Sequence, residues 1–530
     1  MSFNLSEHIQ SIIFLLYSGI GLVFLGLSYF QFTNKSRLSL LLIAMGSLSI
    51  GFFVCLSDPF LHMWDEQVHA VIAKNMLTNP FKPMLMPDPI LPYDYKNWTG
   101  NHIWVHKQPL FLWQIALSFK LFGTNIFSLR LPSILMTSLL VFPVYRIGKL
   151  VSGKQAGIFA AALLAGSNFI FQMVSGRMHT DHNDIAFLFY VTLSIWAWFE
   201  KEDSEKKYWI LLIGLFSGMA ILNKWLVGLL VYSIWGLNIL LFKENRKKIS
   251  SYLEMIVALF ISIVVALPWQ LYILNKFPLE SNFEFEYNSL HFFEALEGHA
   301  GDYFYHLNKF ETLFGTDFQY VLLVSFVIFV LSKIKLKDKI ALISPIVIVY
   351  LFYSLAATKM PAFPIIVAPI IYLIIAVSLS YILQFLKKTH FNEIAKKAIG
   401  IIIVFFLFFH FLNHDFLSLK NNTDNLKRYQ KAINFTLDYK NLPTLFEEKE
   451  IIVYNSRNYD KLKIMFHTDY RARSGVPSQK NIKVLKENNI EIVVFDNNKL
   501  PDYIIKDTTI AKIRSQVWQK NFKGEMEVYY

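Results

Sequence analysis

The chain has 530 residues, of which 54% are hydrophobic and only 17% are charged, and its formal net charge is +12. This composition excludes a single soluble domain, because soluble proteins carry about 25% charged residues and their cores stop growing at roughly 250–300 residues. The positive charge is spread in short groups between apolar runs, which argues against nucleic-acid binding, and the single Cys55 excludes an intrachain disulfide.

Long apolar runs recur along the chain and predict an all-α polytopic membrane domain, because a helix needs about 20 apolar residues to cross a bilayer. About twelve such runs occur: 10–31, 38–56, 131–149, 155–174, 184–200, 207–223, 225–243, 250–268, 317–334, 339–357, 363–386 and 397–415. The first run lacks a preceding basic region and a following cleavage site, so we expect it to serve as both targeting signal and first span. The weakest division is the one at Asn223-Lys224.

Basic residues occupy every second connection between the predicted spans: 35–37, 146–154, 201–207, 243–248, 333–339 and 387–397. Because positive residues concentrate in cytoplasmic loops, this alternation predicts that all six connections face the cytoplasm. Both termini are then expected outside, together with the remaining loops: 57–130, 175–183, 223–224, 269–316 and 358–362.

Two of the outer loops, 57–130 and 269–316, are too long to be plain connectors, and loops of this length are usually functional. Within the first loop, the apolar stretch 109–122 is too short to span a bilayer. We expect it to form a helix that lies in the membrane interface.

After residue 415 the sequence becomes polar and charged. Runs rich in β-branched residues at 451–454 and 490–495 alternate with helical stretches at 424–438 and 479–488. We therefore expect a transmembrane domain over 1–415 and a small extracytoplasmic α/β domain over 416–530.

Asp65 and Glu66 follow the second predicted span and precede an amphipathic stretch, 68–77. A carboxylate at this membrane boundary is placed to act as a general base on a hydroxyl group. The alternative is a loop acid that caps the following helix, since Asp is a favoured N-cap residue. Spacing alone favours the cap.

Three lysines stand where the positive-inside bias disfavours cations. Lys107 precedes the interfacial stretch, where it could pair with a lipid phosphate as a compact cation or simply reach into the headgroup layer. Lys224 and Lys359 lie at the outer ends of predicted spans, so a local anion is expected beside each. That anion is either a lipid-borne phosphate or a carboxylate such as Asp181 or Asp184.

Residues 177–184 place seven polar or charged side chains at the outer mouth of an apolar helix. Placing so many polar side chains beside an apolar span costs free energy unless the groups face a cavity or each other. Four of them could bind a divalent ion, although no metal-motif spacing supports it: His179, Asp181, His182 and Asp184. We favour a phosphate contact for Arg177 and contacts to sugar hydroxyls or basic partners for the two aspartates.

The second long loop adds polar candidates for substrate binding, each a weak signal by itself. They are Glu297, His299, Asp302, Tyr303 and Tyr305.

The order of these motifs resembles that of the membrane glycosyltransferases of the C-type fold that use polyprenyl-phosphate sugars. The chain is most similar to the bacterial branch containing the lipid A aminoarabinose transferase, and more distantly to the protein O-mannosyltransferases. The resemblance covers roughly residues 55–370 and rests on Asp65-Glu66, Lys107 with Pro109-Leu110, Leu129-Arg130-Leu131-Pro132-Ser133, Arg177 with Asp181 or Asp184, Asn223-Lys224, Pro268-Trp269 and Thr358-Lys359-Met360-Pro361.

The resemblance implies that Asp65 is the general base, with Glu66 secondary, that Lys107 meets the carrier phosphate, and that Asp181 or Asp184 is a second acid that helps form the cavity. The implied reaction is inverting transfer of a sugar from a polyprenyl-phosphate carrier to a lipid A, glycan or protein acceptor. It would take place on the outer face of the cell (inner or plasma) membrane. No cofactor is required, and a divalent metal stays an open alternative.

Several positions differ from the family pattern. Val68 and His69 stand where the bacterial branch often has Arg and Tyr, His106 replaces a Glu, and Gln108 replaces the first Pro of the Lys-Pro-Pro-Leu segment. Phe363 replaces a Tyr. Because these positions lie near the donor, they argue against aminoarabinose as the sugar.

A transporter or flippase of lipid-linked or anionic solutes is the main alternative function, and a non-enzymatic envelope assembly protein is a third. A transporter predicts charges near the midplane and internal repeats, whereas the charges here lie at the outer ends and we find no repeat. The sequence also has no Gly-rich nucleotide-binding motif. An outward-facing transferase therefore needs a donor that arrives through the lipid phase.

Overall fold

The computed structural model of the chain describes residues 4–63, 65–87, 89–204, 206–386, 392–412, 423–446, 450–457, 460–515, 518 and 526–530. Trp64, Lys387, Lys388 and the predicted domain boundary at 415–416 lie outside these residues. The described residues of the membrane part form twenty α-helices: α1 Leu5–Thr33, α2 Ser36–Ser57, α3 Asp65–Asn75, α4 Leu110–Phe122, α5 Ile126–Leu139, α6 Val141–Ser152, α7 Lys154–Leu164, α8 Asn168–Val174, α9 His182–Ser204, α10 Tyr208–Lys224, α11 Leu230–Leu241, α12 Lys243–Arg246, α13 Ile249–Lys276, α14 Pro278–Phe293, α15 Tyr305–Asn308, α16 Phe310–Phe314, α17 Phe318–Leu331, α18 Leu336–Leu355, α19 Ala368–Leu386 and α20 Glu393–Leu412.

In the described residues, 8 helical segments are long and apolar enough to cross a membrane, or 9 if the bent pair α7–α8 counts as one span. The chain is therefore a multi-pass membrane protein, but the predicted count of twelve spans is not confirmed. The predicted span 155–174 is bent by 50° between α7 and α8, and α17 has only 14 residues. The stretch predicted to be an interfacial helix forms α4, a helix of 13 residues.

The chain reverses direction between α10 and α11. The Ser217 hydroxyl donates a hydrogen bond to the Gly228 carbonyl at 2.7 Å, whereas two residues so far apart in one continuous helix would be about 16 Å apart. Trp225 has a φ of 56° at this turn. A Cβ atom on Gly228 would lie 2.7 Å from the Ile221 nitrogen, so the close return requires glycine. This reversal agrees with the predicted division at Asn223-Lys224.

Basic connections meet at the C-terminal end of α9. Lys201 lies 2.7 Å from Glu254 at the start of α13, and Lys337 from the connection before α18 forms an ion pair with Glu202. Two of the predicted cytoplasmic connections, together with the start of the helix that follows a third, thus meet at one end of the helix bundle. The N-terminal end of α9, at His182, is the opposite end of this helix.

The C-terminal region forms a five-stranded sheet of order β2-β1-β3-β4-β5. Its first four strands are parallel neighbours, and β5 pairs antiparallel with β4. The strands are β1 Ile451–Ser456, β2 Arg471–Ser474, β3 Glu491–Phe495, β4 Ala511–Arg514 and β5 Glu527–Tyr529, and the accompanying helices are Thr423–Asn441, Asp460–His467, Gln479–Glu487 and Asp502–Ile505. The predicted α/β region is therefore confirmed, with both predicted strands and both predicted helices in place.

This α/β region packs against the first outer loop. The Lys74 ammonium, at the end of α3, donates hydrogen bonds to the carbonyls of Met465 at 3.0 Å and Thr468 at 2.6 Å. Arg473 in β2 donates to the Leu91 carbonyl at 3.0 Å. The sheet is thus attached to the helix that begins with Asp65.

Candidate active site

A cavity of about 420 Å³ lies between the two long loops, predicted to be outer loops at 57–130 and 269–316, and the ends of α10 and α18. Six candidate site residues from the sequence line it: Asp65, Lys107, His179, Lys224, Glu297 and His299. Aromatic side chains form much of the remaining wall: Trp98, Trp225, Phe292, Phe352, Tyr353 and Phe363. The fold therefore brings acidic, basic and aromatic groups from distant parts of the sequence to one place.

A second, larger cavity of about 590 Å³ lies between α1 and α20. It is lined by phenylalanines together with Thr316, Ile402 and His410. A single imidazole among apolar groups offers no acid–base or phosphate-binding set, so the smaller cavity is the candidate site.

Asp65 is the first residue of α3 and is half-buried at the cavity wall. No hydrogen bond or ion pair within the described residues holds its carboxylate. Burial raises the pKa of the Asp65 carboxyl, while the charges of Lys107 and His69 act in the opposite direction and that of Asp181 adds to the increase. A carboxylate with a raised pKa is a stronger base, which suits proton abstraction near neutral pH.

Lys107 reaches the same cavity from the segment before α4 and is half-buried. In the part of the chain that the structure describes, its ammonium has no ion-pair partner. The preceding residue, His106, has its Nδ1 2.8 Å from a carboxylate oxygen of Glu284 in α14. Lys107 is thus a partly desolvated cation that is available to an anionic ligand.

Glu66 points away from the cavity and is fully buried in an ion pair with Arg130. The guanidinium donates from Nε at 2.7 Å and from Nη2 at 3.1 Å. The Glu66 carboxylate also accepts the His62 backbone N–H at 2.7 Å, and His182 Nε2 lies 3.6 Å away. Burial alone would raise the pKa of Glu66, but Arg130 and His182 hold it at about 2. A Cβ on Gly176, whose φ is 76°, would lie 2.2 Å from this carboxyl group, so only glycine fits there.

Arg177 forms a bidentate ion pair with Asp58, which directly follows α2. Its Nε and Nη2 lie 2.6 and 3.0 Å from the two carboxylate oxygens. His62 Nε2 lies 2.8 Å from the same carboxylate. Burial would raise the pKa of Asp58, but these two partners hold it well below its usual range. Arg177 therefore joins the segment before α9 to the end of α2.

The two candidate second acids have different partners. Asp181 lies 2.9 Å from Nδ1 of His69 on α3. Asp184 accepts a hydrogen bond from the Lys224 ammonium at 2.6 Å, and that ammonium lies 4.7 Å from the centre of the Phe363 ring. Asp181 is therefore the acid beside Asp65, while Asp184 holds a wall lysine in place.

The four residues considered as metal ligands point in different directions. His179 lines the cavity, whereas His182 pairs through Nδ1 with the Ser133 hydroxyl at 2.8 Å. Asp181 and Asp184 have the partners described above. Across the residues that the structure covers, no group of three or more His, Cys, Asp or Glu side chains could hold a metal ion.

Lys359 is buried at the C-terminal end of α18. Its ammonium donates hydrogen bonds to the carbonyls of Tyr353 at 3.0 Å and Ser354 at 2.6 Å, and it also bonds to the Ala356 carbonyl. This is a capping interaction, since the last carbonyls of a helix lack intrahelical partners. Its backbone N–H donates to the His299 carbonyl at 2.8 Å, which positions the second outer loop at the cavity.

Asp58 and Glu284 were not among the residues identified from the sequence, and Arg130 was named only as part of the motif at 129–133. A further signal existed for Arg130, because an arginine next to an apolar run needs a local anion. Asp58 stands directly after a predicted span, where an acid is unremarkable. Its pairing with Arg177 joins distant parts of the chain, which no local pattern reveals.

Residues 106–272 match the family described as dolichyl-phosphate-mannose-protein mannosyltransferase. Curated relatives include the undecaprenyl phosphate-alpha-4-amino-4-deoxy-L-arabinose arabinosyl transferase of Pseudomonas paraeruginosa, 28% identical over 45% of this chain and 40% of that protein. A relative of the same name (arabinosyl transferase 1) from Pseudomonas fluorescens is 27% identical over 52% of this chain and 47% of that protein. The chain thus spans less than half the length of these relatives.

Solved structures share the fold. ArnT from Cupriavidus metallidurans bound to undecaprenyl phosphate has a TM-score of 0.58 at 13% identity, covering 83% of this chain and 86% of that chain. The oligosaccharyltransferase AglB from Archaeoglobus fulgidus, in complex with an inhibitory peptide and a dolichol-phosphate, has a TM-score of 0.50 at 15% identity, covering 87% and 69%. The predicted resemblance to the polyprenyl-phosphate-sugar glycosyltransferases of the ArnT and protein mannosyltransferase superfamily is therefore confirmed.

Proposed function

We propose that this protein transfers a sugar, with inversion, from a polyprenyl-phosphate carrier to an acceptor hydroxyl on the outer face of the membrane, with Asp65 as the general base. The observation that carries the proposal is the meeting of Asp65 and Lys107 in one cavity. One is a half-buried carboxylate and the other a half-buried ammonium, and no salt bridge within the described residues engages either.

Asp65 and Lys107 can together accept the proton and stabilise the negative charge that the reaction releases. The ionised Asp65 takes the proton of the acceptor hydroxyl as its oxygen attacks the anomeric carbon. The bond between that carbon and the phosphate oxygen breaks, so the lipid phosphate departs as an anion. Lys107 stabilises the negative charge that develops on the leaving group, which needs a cation more than a proton donor. Attack opposite the leaving group inverts the anomeric centre.

Aromatic groups at the cavity rim support a donor that enters from the lipid. Phe292 and Phe352 both line the cavity and are 39% and 41% exposed. Their ring centroids lie 5.7 Å apart. An apolar rim of this kind suits a polyprenyl chain whose phosphate lies at Lys107.

The other candidate cations belong to the walls in this proposal, because each has an internal partner. Arg177 binds Asp58, Lys224 binds Asp184, and Lys359 caps α18 as described above. We assign Glu66 to the support of α3 through Arg130, and we keep His299 as a substrate-binding candidate at the cavity wall.

An extracytoplasmic site in the inner or plasma membrane follows from the same arrangement. The basic connections converge at one end of α9, and the cavity-lining His179 and Thr180 precede its other end. The positive-inside bias then supports a cavity that opens outside, where lipid A, a glycan or a protein would be the acceptor. The flippase alternative has no observation in its favour.

The test is mass spectrometry of membrane lipids and envelope glycans from cells with and without the gene. The proposal predicts that one glycosylated product disappears and that the polyprenyl-phosphate sugar accumulates outside, which names the sugar and the acceptor together. Unchanged glycans with a lipid-linked precursor retained inside would contradict it and favour a flippase.

A further inference from the structure

His69 lies one helical turn after Asp65 on α3, so both side chains project from the same face of the helix. Its Nδ1 lies 2.9 Å from Oδ1 of Asp181, and both residues are fully buried. The rings of Trp104 and Phe111 enclose the imidazole, with ring centroids 5.7 and 4.7 Å away. A charged or hydrogen-bonded pair is therefore fixed directly behind the carboxylate that faces the cavity.

The contact determines which nitrogen of His69 carries the proton. An ionised carboxylate only accepts hydrogen bonds, so Asp181 requires a proton on Nδ1. Burial would raise the pKa of Asp181, but His69 and His182 hold it below its ordinary value. The other two polar atoms of the pair, His69 Nε2 and Asp181 Oδ2, are buried and have no hydrogen-bond partner among the described residues. Buried polar atoms are rarely left so without a functional reason.

We propose that His69 and Asp181, hydrogen-bonded to each other, are a positioning pair for Asp65 and set the electrostatic environment of its carboxylate. This inference rests on the proposed function, in which Asp65 is the base. His69 stands at a position where this chain departs from the family pattern, so the pair is a property of this chain's own residues.

The two members act on Asp65 in opposite directions. The charge of His69 lowers the pKa of Asp65, whereas that of Asp181 raises it. Lys107 and His106, from the segment before α4, also act on Asp65. The remaining ionisable groups that line the cavity are His179, Lys224, His291, Glu297, His299 and Tyr353.

The experiment measures the protonation of Asp65 without any substrate. The full-length protein, as wild type, His69→Gln and Asp181→Asn, is treated with dicyclohexylcarbodiimide across a pH series, and labelled Asp65 is quantified by peptide mass spectrometry. Because carbodiimides react with the protonated carboxyl, labelling falls as the pH rises through the pKa of Asp65. His102→Gln is the matched control, since His102 is a half-buried histidine of the same outer loop that does not line the cavity.

We expect the labelling midpoint to move up by about one pH unit in His69→Gln and down by a similar amount in Asp181→Asn, because a neighbouring charge shifts the pKa of a carboxyl by one to three units. His102→Gln should keep the wild-type midpoint. Shifts in the same direction, or altered labelling at every pH with an unmoved midpoint, would mean that the pair only holds α3 in place and would overturn the inference.

If His69→Gln does not fold, Asp181→Asn decides alone, and a midpoint that fails to fall contradicts the proposal. The labelling needs no transfer activity. A failure of the pair is therefore distinguishable from a failure of the proposed function, which is tested by the loss of transfer in an Asp65 variant.

Discussion

Glu66 and Arg130 form a fully buried ion pair that joins the start of α3 to α5, with Nε and Nη2 of the guanidinium 2.7 and 3.1 Å from the two carboxylate oxygens. The same guanidinium donates to three carbonyls in the last turn of α2 and the segment that follows it: Cys55, Asp58 and Phe60. Arg130 thus fixes the turn that leads into Asp65. The neighbouring carboxylates consequently have different environments: that of Glu66 is paired with Arg130, and that of Asp65 faces the cavity.

Breaking this pair should destabilise the protein. Glu66→Ala leaves the Arg130 charge buried without its carboxylate, which costs about 3–5 kcal/mol. We expect the double variant Glu66→Leu with Arg130→Met to recover much of this loss, because it removes both buried charges. Thermal unfolding of the detergent-purified variants checks both outcomes. A Glu66→Ala protein as stable as the wild type would show that the pair contributes nothing.

Lys107→Gln should reduce transfer by about 10²–10³-fold in kcat, because it removes the cation that stabilises the departing phosphate. Lys107→Arg should retain more activity than Lys107→Gln, since it keeps the charge. The measurement is transfer of the sugar from its polyprenyl phosphate in reconstituted membranes.

Lys120→Gln is the matched control for this experiment. It removes an exposed lysine from the same outer loop, on α4 and outside the cavity. Equal activity of the two glutamine variants would count against the phosphate contact.

Lys74 anchors the α/β region to α3 through three carbonyls and a 3.0 Å ion pair with Asp469. Lys74→Met should release helix Asp460–His467 from the first outer loop. We expect faster amide hydrogen exchange there, measured by mass spectrometry, with unchanged exchange in helix Gln479–Glu487. If Lys74→Met leaves amide exchange unchanged in both helices, apolar contacts alone hold the α/β region against the first long loop.

The rate of transfer should depend on pH through Asp65. The carboxylate works as a base only when ionised, so activity is full above its pKa and is lost as the pH falls through it. Since burial raises the pKa of Asp65, the acid limb should lie above about 3.9, the ordinary aspartate value. The charge of Lys107 lowers the pKa of Asp65. The residual activity of Lys107→Gln should therefore have its acid limb at a higher pH than that of the wild type. An acid limb at or below the ordinary value would contradict this environment.

Much of the architecture was predictable because it depends on local sequence. The reversal near Lys224 and the strands β1 and β3 follow from patterns within a few residues of each other. The bend between α7 and α8 was not predicted, since 155–174 reads as one apolar run. Gly166 and Ser167 lie at the break, where helix kinks are common, and a Cβ on Gly166 would be 2.6 Å from the Phe408 ring, so α20 packs closely against the backbone there.

Some of the residues that line the cavity could be predicted from the sequence, but the ion pairs that position the site could not. Asp65 and Lys107 were candidates from their residue types at a predicted membrane boundary, and the order of the family motifs favoured the base and phosphate roles over the cap and the interface lysine. The pairings of Arg177 with Asp58 and of Asp184 with Lys224 join distant elements, and no periodicity in one sequence reports such contacts. For the same reason the capping role of Lys359 was not evident.

The most direct test of the central claim is sugar transfer by Asp65→Asn, expressed in cells that lack the native gene and followed by mass spectrometry of lipids and glycans. We predict complete loss of the product with a wild-type amount of folded protein in the membrane. Asp94→Asn, an exposed acid in the same outer loop, should retain transfer. Normal transfer by a folded Asp65→Asn protein would contradict the assignment of Asp65 as the base.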